Sequence, residues 1–206
     1  MLYIMRHGKT EWNELHKLQG QTDIPLNENG RKMAREAGKR YREIHFDICY
    51  CSPLIRAKET AELVLEGRAV PIVTDDRLME MCFGDYEGKI TDEVMKENPN
   101  WDISLIMKGN TELAAPNGEN LSEVRFRVTK AMNKIIEENR GKTILIVAHG
   151  ITLKAIMYYF NDKDVNSEVM GQATLTKINV DENNRFNIEF KNDDSHFTIK
   201  EKKLGW

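Results

Sequence analysis

The 206-residue sequence contains few cysteines, few prolines and no long apolar run. Its three cysteines, Cys49, Cys51 and Cys82, are odd in number and form no Cys-x-x-Cys pair, which argues against a disulfide framework or a zinc site. Cys49 and Cys51 lie two residues apart in an apolar run, so both are expected to face one side of a strand as small buried hydrophobes. Because no run could span a bilayer and the opening lacks a leader pattern, we expect a cytoplasmic protein with no membrane partner.

Extended basic blocks and glycine-rich phosphate loops are also missing. The net charge is -3 and no long block of lysines and arginines occurs, so nucleic acid is not expected as a partner. The densest basic cluster, Lys200–Lys203, is expected to be a solvated end. No nucleoside-triphosphatase loop and no acidic cluster suited to Mg²⁺ is present. A chain of this length buries about 70% of its unfolded surface, enough to fold without a metal or a disulfide.

What the sequence does contain is a short apolar strand followed at once by polar residues. Leu2–Met5 is typical of a buried strand, and Arg6, His7 and Gly8 follow it. Ligands of open α/β sheets bind beyond the carboxyl ends of the strands, and an arginine beside a histidine suits an oxyanion such as phosphate. Gly8 is expected to let the backbone turn and approach a ligand closely. The alternative is an ordinary strand end with two solvated side chains.

The same order recurs near position 149. The run Thr143–Ala148 is almost entirely apolar, which predicts a central parallel strand, and it ends in His149 and Gly150 before an apolar helix over Ile151–Phe160. His149 is expected where the backbone amides of that helix converge on an anion. A lone histidine at a strand end is usually structural, whereas a second one in a matching context favours a shared site.

The stretch from Thr10 to Leu26 has no hydrophobic period and is rich in glycine, proline, asparagine and threonine, which predicts a long ordered loop. Loops of this length in compact domains are commonly functional. Asn13, Gln19 and the backbone around Gly20 are therefore candidates to donate to a ligand held by Arg6. In the alternative interpretation, Asn13 caps a local turn and Gln19 is exposed.

A further arginine is predicted near the same crevice. Ser52 and Pro53 favour a helix that starts there, with Ser52 as the N-cap, which places Arg56 in the first turn. A cation at this position suits an anion that the helix terminus also attracts. The alternative for Arg56 is a salt bridge to Glu59 or Asp85.

Glu80 is the candidate general acid. It lies within the apolar run Leu78–Phe83, and apolar surroundings favour the neutral form of a carboxyl group. The alternative is a structural ion pair between Glu80 and a nearby arginine.

The rest of the chain alternates strands and helices. Asn27 is expected to open a helix with one apolar and one basic, solvated face. The pattern weakens after Lys89, so the segment from about 85 to 118 is predicted to be a cap or insertion. We expect one α/β domain over 1–206, a three-layer α/β/α sandwich with a mainly parallel central sheet and a small helical cap. The other predicted elements are strands at 46–51, 70–73, 174–180 and 185–190, and helices at 92–98, 101–107 and 121–141.

Four sequence blocks carry a resemblance to a known family. They are Arg-His-Gly-x-Thr-x-x-Asn at 6–13, Ser-x-Leu-x-Arg-Ala-x-x-Thr-Ala at 52–61, Glu-x-x-Phe-Gly-x-Tyr-Glu-Gly at 80–88 and Val-Ala-His-Gly at 147–150. On these blocks, in this order, the chain resembles the histidine phosphatase superfamily, which includes the cofactor-dependent phosphoglycerate mutases. The resemblance is strong over 2–88 and 142–160 and poor between them.

The resemblance implies that His7 is the nucleophile and becomes a phosphohistidine. It implies that Arg6, Arg56 and His149 neutralise the oxygens of the transferring phosphoryl group. It also implies that Glu80 protonates the leaving alkoxide and then activates water, with no cofactor and no metal. The implied phosphate and substrate contacts are Thr10, Asn13, Gln19, Gly20 and Gly150.

The resemblance favours the phosphatase branch of that family. Glu80–Gly84 reads Glu-Met-Cys-Phe-Gly where mutases carry Glu-Arg-His-Tyr-Gly, and no Arg-Arg pair follows. The Gln19–Leu26 loop, the short length and the segment Asn192–His196 resemble ribazole-phosphate and broad-specificity phosphatases. We expect a metal-independent phosphomonoesterase for small-molecule phosphate esters, acting as a monomer or homodimer. The alternatives are a phosphoglycerate mutase and a non-catalytic module that binds a phosphorylated ligand.

Overall fold

A computed structural model describes residues 1–162, 164–166, 169–181 and 185–197. The strands are β1 (Leu2–Arg6), β2 (Ile48–Cys51), β3 (Ile72–Thr74), β4 (Ile144–Ala148), β5 (Leu175–Val180) and β6 (Phe186–Asp193). The helices are α1 (Glu11–Glu14), α2 (Glu28–Arg40), α3 (Ile55–Val64), α4 (Thr91–Glu97), α5 (Ile103–Met107), α6 (Leu121–Glu138) and α7 (Gly150–Tyr159).

The six strands form one sheet in the order β3-β2-β4-β1-β5-β6. The first four strands are parallel, whereas β5 is antiparallel to β1 and β6 is antiparallel to β5. In the parallel pair of β1 and β4, Arg6 lies opposite Ala148, and the next amide, that of His7, donates to the Ala148 carbonyl at 2.9 Å. This register brings His7 and His149 out of the sheet at one edge, as the sequence predicts.

The sheet is covered on both faces, so the predicted three-layer α/β/α fold is confirmed. Along β1, Tyr3 and Met5 pack with α2 and α3, while Leu2 and Ile4 point to the opposite face and pack with α6 and α7. This split follows from the alternation of side chains along a strand. The two cysteines of β2 are both free and buried in the α2–α3 layer, as their spacing predicts.

The segment between β3 and α6 forms the predicted helical region over the carboxyl edge of the sheet. Trp101 is buried, and its ring meets the edges of Phe83 and Tyr86 at centroid distances of 6.3 and 5.1 Å. Ile103 and Ile106 on α5 are buried in the same layer as α6 and α7. These apolar contacts hold α5 above the crevice.

The predicted start of α3 is wrong. The helix begins at Ile55, its N-cap is Leu54, and no side chain caps it from that position. Ser52 instead accepts a 3.3 Å hydrogen bond from the Leu54 amide in a turn that precedes the helix. The amide of Ile55 donates to Asp23 at 2.7 Å, so a carboxylate from the long loop occupies the helix N-terminus. Arg56 nevertheless lies in the first turn.

The remaining differences concern the ends of elements. The loop over 10–26 contains the single-turn helix α1, which Thr10 and Asn13 close with a capping box. The last strand continues to Asp193, three residues beyond its predicted end at 190. The strand predicted at 70–73 is observed at Ile72–Thr74, at one edge of the sheet. Residues 182–184, between the last two predicted strands, and the basic cluster at 200–203 lie outside the described residues. No helix within the described ranges is long and apolar enough to cross a membrane.

Candidate functional site

A cleft opens at the carboxyl ends of β1 and β4, beneath α5. It holds about 590 Å³ of space, part of it open to solvent. It brings together five residues from four separate stretches of the sequence: Arg6, His7, Arg56, Glu80 and Gly150. Four of the five catalytic candidates line this cleft, and the fifth, His149, lies just behind it. The ring centroid of His149 is 5.1 Å from that of His7.

His7 is buried and has a defined tautomer. Its Nδ1 atom lies 2.7 Å from the carbonyl oxygen of Gly8. A carbonyl oxygen only accepts hydrogen bonds, so Nδ1 carries the proton and Nε2 of the neutral ring keeps its lone pair. Burial, followed by the positive charges of Arg56 and Arg6, holds the pKa of His7 well below its ordinary value. The ring is therefore neutral near pH 7, with a nucleophilic nitrogen at Nε2.

Gly8 supports this arrangement in a way that differs from the expectation. A Cβ atom at Gly8 would lie 2.6 Å from the carbonyl oxygen of Gly30 at the start of α2. The Gly8 amide donates to Thr60 Oγ1 at 2.9 Å, and Thr60 in turn donates to the Arg56 carbonyl at 2.6 Å. Gly8 thus permits the close approach of two backbone segments of the protein, at Gly8 and Gly30, rather than of a ligand. Thr60 links the end of β1 to α3 through these two hydrogen bonds.

His149 differs from His7 because neither of its ring nitrogens has a hydrogen-bond partner among the described residues. The side chain is fully buried at the N-cap of α7. Burial first, and then Arg56, His7 and Arg6, lower its pKa well below the ordinary value. A buried polar group without a partner is costly, so this imidazole is suited to bind a group that enters the cleft.

Each of the two arginines has one buried donor without a partner among the described residues. Arg6 donates from Nη1 to the Met170 carbonyl at 2.9 Å, and Arg56 donates to the carbonyls of Gly20 and Thr22 at 2.7 and 3.0 Å. The Nε atoms of both are buried without a partner. Burial lowers the pKa of Arg56 to about 10, which still leaves it charged near neutral pH. The alternative salt bridge of Arg56 to Glu59 or Asp85 is absent among the described residues.

Glu80 occupies the N-terminus of α7. Its carboxylate accepts hydrogen bonds from the Met81 amide at 2.9 Å, from the Thr152 amide at 3.2 Å and from the Ile151 amide at 3.3 Å. The anion at the helix terminus is therefore this side chain. No salt bridge joins it to an arginine within the described ranges. A Cβ built on Gly150 would lie 3.5 Å from the Arg6 guanidinium and 3.6 Å from the Glu80 carboxylate, so both groups border this glycine.

The predicted ligand contacts in the loop over 10–26 are of two kinds: residues that line the cleft, and one residue that holds them in place. Asn13, Gln19 and Gly20 line the cleft, whereas Thr10 is fully buried behind them. Thr10 Oγ1 contacts Asn13 Oδ1 and Gln19 Oε1 at 3.0 Å each. These contacts occupy the amide oxygens, so the NH₂ groups of Asn13 and Gln19 remain for a ligand. Asn13 thus both caps its turn and lines the cleft.

Arg127 is a supporting residue that the sequence patterns do not reveal. From α6 its guanidinium donates to the carbonyls of Arg77, Met79 and Glu80 at 2.7–3.0 Å and pairs with Glu119 at 2.8 Å. It therefore fixes the backbone that carries Glu80. A single exposed-looking arginine on an amphipathic helix provides no signal for this role. Among the described residues, no group of three or more histidines, cysteines or carboxylates is arranged to hold a metal ion.

Comparisons with known proteins identify a matching family. The model of the histidine phosphatase superfamily (branch 1) matches residues 2–194. The chain is 35% identical over 197 residues, 95% of both chains, to the uncharacterized phosphatase PhoE of Bacillus subtilis. It is 33% identical over 156 residues, 76% of this chain and 72% of the relative, to the probable phosphoglycerate mutase GpmB of Citrobacter koseri.

Two solved structures share the whole fold. YhfR of Bacillus stearothermophilus superposes with a TM-score of 0.84 at 38% identity, covering 95% of this chain and 98% of that chain. The alpha-ribazole phosphatase of Shigella flexneri superposes with a TM-score of 0.83 at 26% identity, covering 93% and 96%.

Proposed function

The chain belongs to branch 1 of the histidine phosphatase superfamily, and from this premise we propose that it is a metal-independent phosphomonoesterase that hydrolyses small-molecule phosphate esters. The observation that carries the proposal is the tautomer of His7. The Gly8 carbonyl holds the proton on Nδ1, which leaves the Nε2 lone pair available for attack on phosphorus.

In the first step, His7 Nε2 forms a bond to phosphorus and the ester oxygen leaves with the bonding electron pair. The Nε–H groups of Arg6 and Arg56 and the imidazole of His149, which lack hydrogen-bond partners among the described residues, then bind the negative phosphoryl oxygens. Phosphoryl transfer depends mainly on positioning and charge stabilisation, so these preorganised donors supply most of the catalysis.

Glu80 supplies the proton that the leaving alkoxide needs. The acid gives this proton to the leaving oxygen, and the resulting carboxylate then takes one from the water that attacks the phosphohistidine. The products are the alcohol and inorganic phosphate, and His7 returns to its neutral form.

Three features support hydrolysis over transfer of the phosphoryl group back to an alcohol. PhoE, which matches over 95% of both chains, is named a phosphatase, and the solved relative from Shigella is named one too. The segment Glu80–Gly84 lacks the Arg-His pair that the mutases carry after the glutamate. The match to GpmB keeps the mutase as the second candidate.

A panel of phosphate esters tests the reaction type. We expect release of inorganic phosphate from alkyl, sugar and ribazole phosphates, unchanged by excess EDTA. 3-Phosphoglycerate with 2,3-bisphosphoglycerate as primer should give phosphate rather than rapid conversion to 2-phosphoglycerate. Isomerisation faster than hydrolysis would establish the mutase, and loss of activity in EDTA with rescue by Mg²⁺ would contradict the metal-independent mechanism.

Glu80→Gln tests the acid and base roles. Hydrolysis of alkyl phosphates should slow by roughly 10²–10⁴-fold, the usual contribution of general acid catalysis. p-Nitrophenyl phosphate needs little protonation of its leaving group, so the variant should release a burst of nitrophenol and then turn over slowly. Equal, undiminished rates with both esters would remove Glu80 from the mechanism.

A further inference from the structure

The outer part of the cleft contains a buried lysine that the proposed chemistry does not use. Lys154 lies on α7, is buried, and lines the cleft that contains His7. Its Nζ donates to the carbonyls of Met107 and Val165 at 2.9 and 2.8 Å. An ammonium group has three N–H donors, so one remains after these two bonds.

The Lys154 ammonium has only neutral partners among the described residues. No carboxylate pairs with it there, and both of its hydrogen bonds go to backbone carbonyls. Burial lowers its pKa, and no negative charge offsets that effect. Buried charges in proteins are normally paired with an opposite charge, so this site lacks an anion.

The position of Lys154 on α7 relates it to the chemistry. Gly150, Ile151 and Lys154 lie on one face of the helix, and all three line the cleft. Lys154 is one turn, roughly 6 Å along the axis, beyond the helix start that borders Arg6 and Glu80. An ester whose phosphate lies against His7 would thus direct its alcohol portion toward the ammonium group.

The cleft that Lys154 shares with His7 also has apolar lining residues, among them Phe83, Ile103, Met107, Ile151 and Met170. Arg6 and Arg56 already supply positive charge beside His7, so the buried ammonium of Lys154, one helical turn farther along the same cleft, points to a second negative group on the substrate rather than to the ester phosphate.

We propose that Lys154 is a specificity-determining residue that binds a second anionic group, a carboxylate or a second phosphoryl group, on the alcohol portion of the substrate. This inference rests on the proposed function, because it assumes that the ester phosphate binds beside His7. The preferred substrates are then esters whose alcohol portion carries a negative group, rather than a neutral or a cationic one.

Matched esters test the preference in the wild-type protein. The substrates are 5-phosphonooxypentanoate, pentane-1,5-diyl bisphosphate, neutral pentyl phosphate and cationic 5-aminopentyl phosphate, whose leaving groups are similar. We expect kcat/KM at least tenfold higher for one or both anionic esters than for pentyl phosphate, and lowest for the aminopentyl ester. The ratio between the two anionic esters shows which anion the subsite takes. Equal values for all four would overturn the proposal.

Lys154→Met removes the charge and keeps the length of the side chain. It should lower kcat/KM for the preferred anionic ester at least tenfold, through KM, and change the value for pentyl phosphate less than threefold. Lys134→Met, which removes an exposed lysine from α6 outside the cleft, is the matched control and should leave both values unchanged. Equal losses with both esters would show that Lys154 only joins α5 to the segment after α7. Lys154→Gln, which can still donate hydrogen bonds, serves if the Met variant melts early.

A binding measurement separates this proposal from the proposed function. Calorimetry with 5-phosphonopentanoate and pentylphosphonate, which cannot be hydrolysed, requires no turnover. Tighter binding of the carboxylated phosphonate to the wild type, lost in Lys154→Met, supports the subsite even if no ester is hydrolysed. Equal binding of both phosphonates overturns it even if the protein is an active phosphatase.

Discussion

The ends of β1 and β4 share the order apolar strand, histidine, glycine, yet the protein surrounds the two imidazoles differently. At β1, Nδ1 of His7 is bound to the Gly8 carbonyl at 2.7 Å, which leaves one nitrogen free. At β4, both nitrogens of His149 are buried without a partner among the described residues. The glycines differ too, because Gly8 packs against the backbone of Gly30 whereas Gly150 begins α7 and borders Arg6.

In the mechanism that we propose, this difference gives two similar sequence blocks different roles. A nucleophile needs one nitrogen deprotonated and aimed, and a hydrogen bond at the other nitrogen achieves this for His7. A group that binds a developing negative charge needs free donor capacity, which His149 retains. We expect the two histidines to be unequal in kinetics although they are neighbours.

The largest effect is expected for His7→Ala. Without the nucleophile, no phosphohistidine forms, and turnover should fall on the order of 10⁴-fold or more. Acid-labile, base-stable phosphate should appear on the wild type after rapid quenching with labelled substrate and be absent from the variant. Label on serine, aspartate or His149 would contradict the assignment, and an unchanged melting temperature is the control for folding.

His149→Gln should have a smaller effect. Loss of one preorganised group that contacts the transferring oxygens lowers kcat by roughly 10²–10³-fold. His7 should still become phosphorylated, only more slowly, as rapid-quench labelling would show. A variant that forms no phosphohistidine at all, while remaining folded, would make the two histidines equivalent.

The shared burial of the histidines predicts how stability depends on pH. Burial, with the nearby arginines, holds the pKa of His7 and His149 below the ordinary 6.5, so below that pH the unfolded chain binds more protons than the folded one. The free energy of unfolding should therefore fall as pH decreases from 7.5 to about 5.5, and His196 acts in the same direction. Urea titrations at several pH values should show that the free energy of unfolding changes less with pH in the His7→Gln, His149→Gln double variant. An equal pH dependence in the variant and the wild type would contradict the lowered histidine pKa values.

The smallest effects concern the two glycines. Gly8→Ala places Cβ 2.6 Å from the Gly30 carbonyl oxygen, so we expect it to lower the free energy of unfolding by about 1–3 kcal/mol. For Gly150→Ala the nearest atom, Arg6 Cζ, is 3.5 Å away, and the change should stay within about 0.5 kcal/mol. Thermal or urea unfolding measures both. Equal destabilisation would show that the two turns are equally crowded.

Local patterns predicted elements that depend on neighbours in sequence. The amphipathic period located α6, and the apolar runs located β1 and β4 because buried strands of a parallel sheet are continuously apolar. The start of α3 was wrong because Asp23, distant in sequence, caps Ile55 in place of Ser52. The single turn α1 was missed because four residues carry no hydrophobic period.

From sequence alone, the residue types at the ends of β1 and β4, together with Arg56 and Glu80, predicted an oxyanion site, and the family resemblance implied their roles. The tautomer, the free donors and the charge without a counter-charge required the tertiary structure, because they are properties of spatial neighbours. The carbonyl of Gly8 decides the reactive nitrogen of His7, and α7 holds the Glu80 carboxylate. Lys154 belongs to an unremarkable helix in the sequence, and only packing against α5 buries its ammonium in the wall of the cleft.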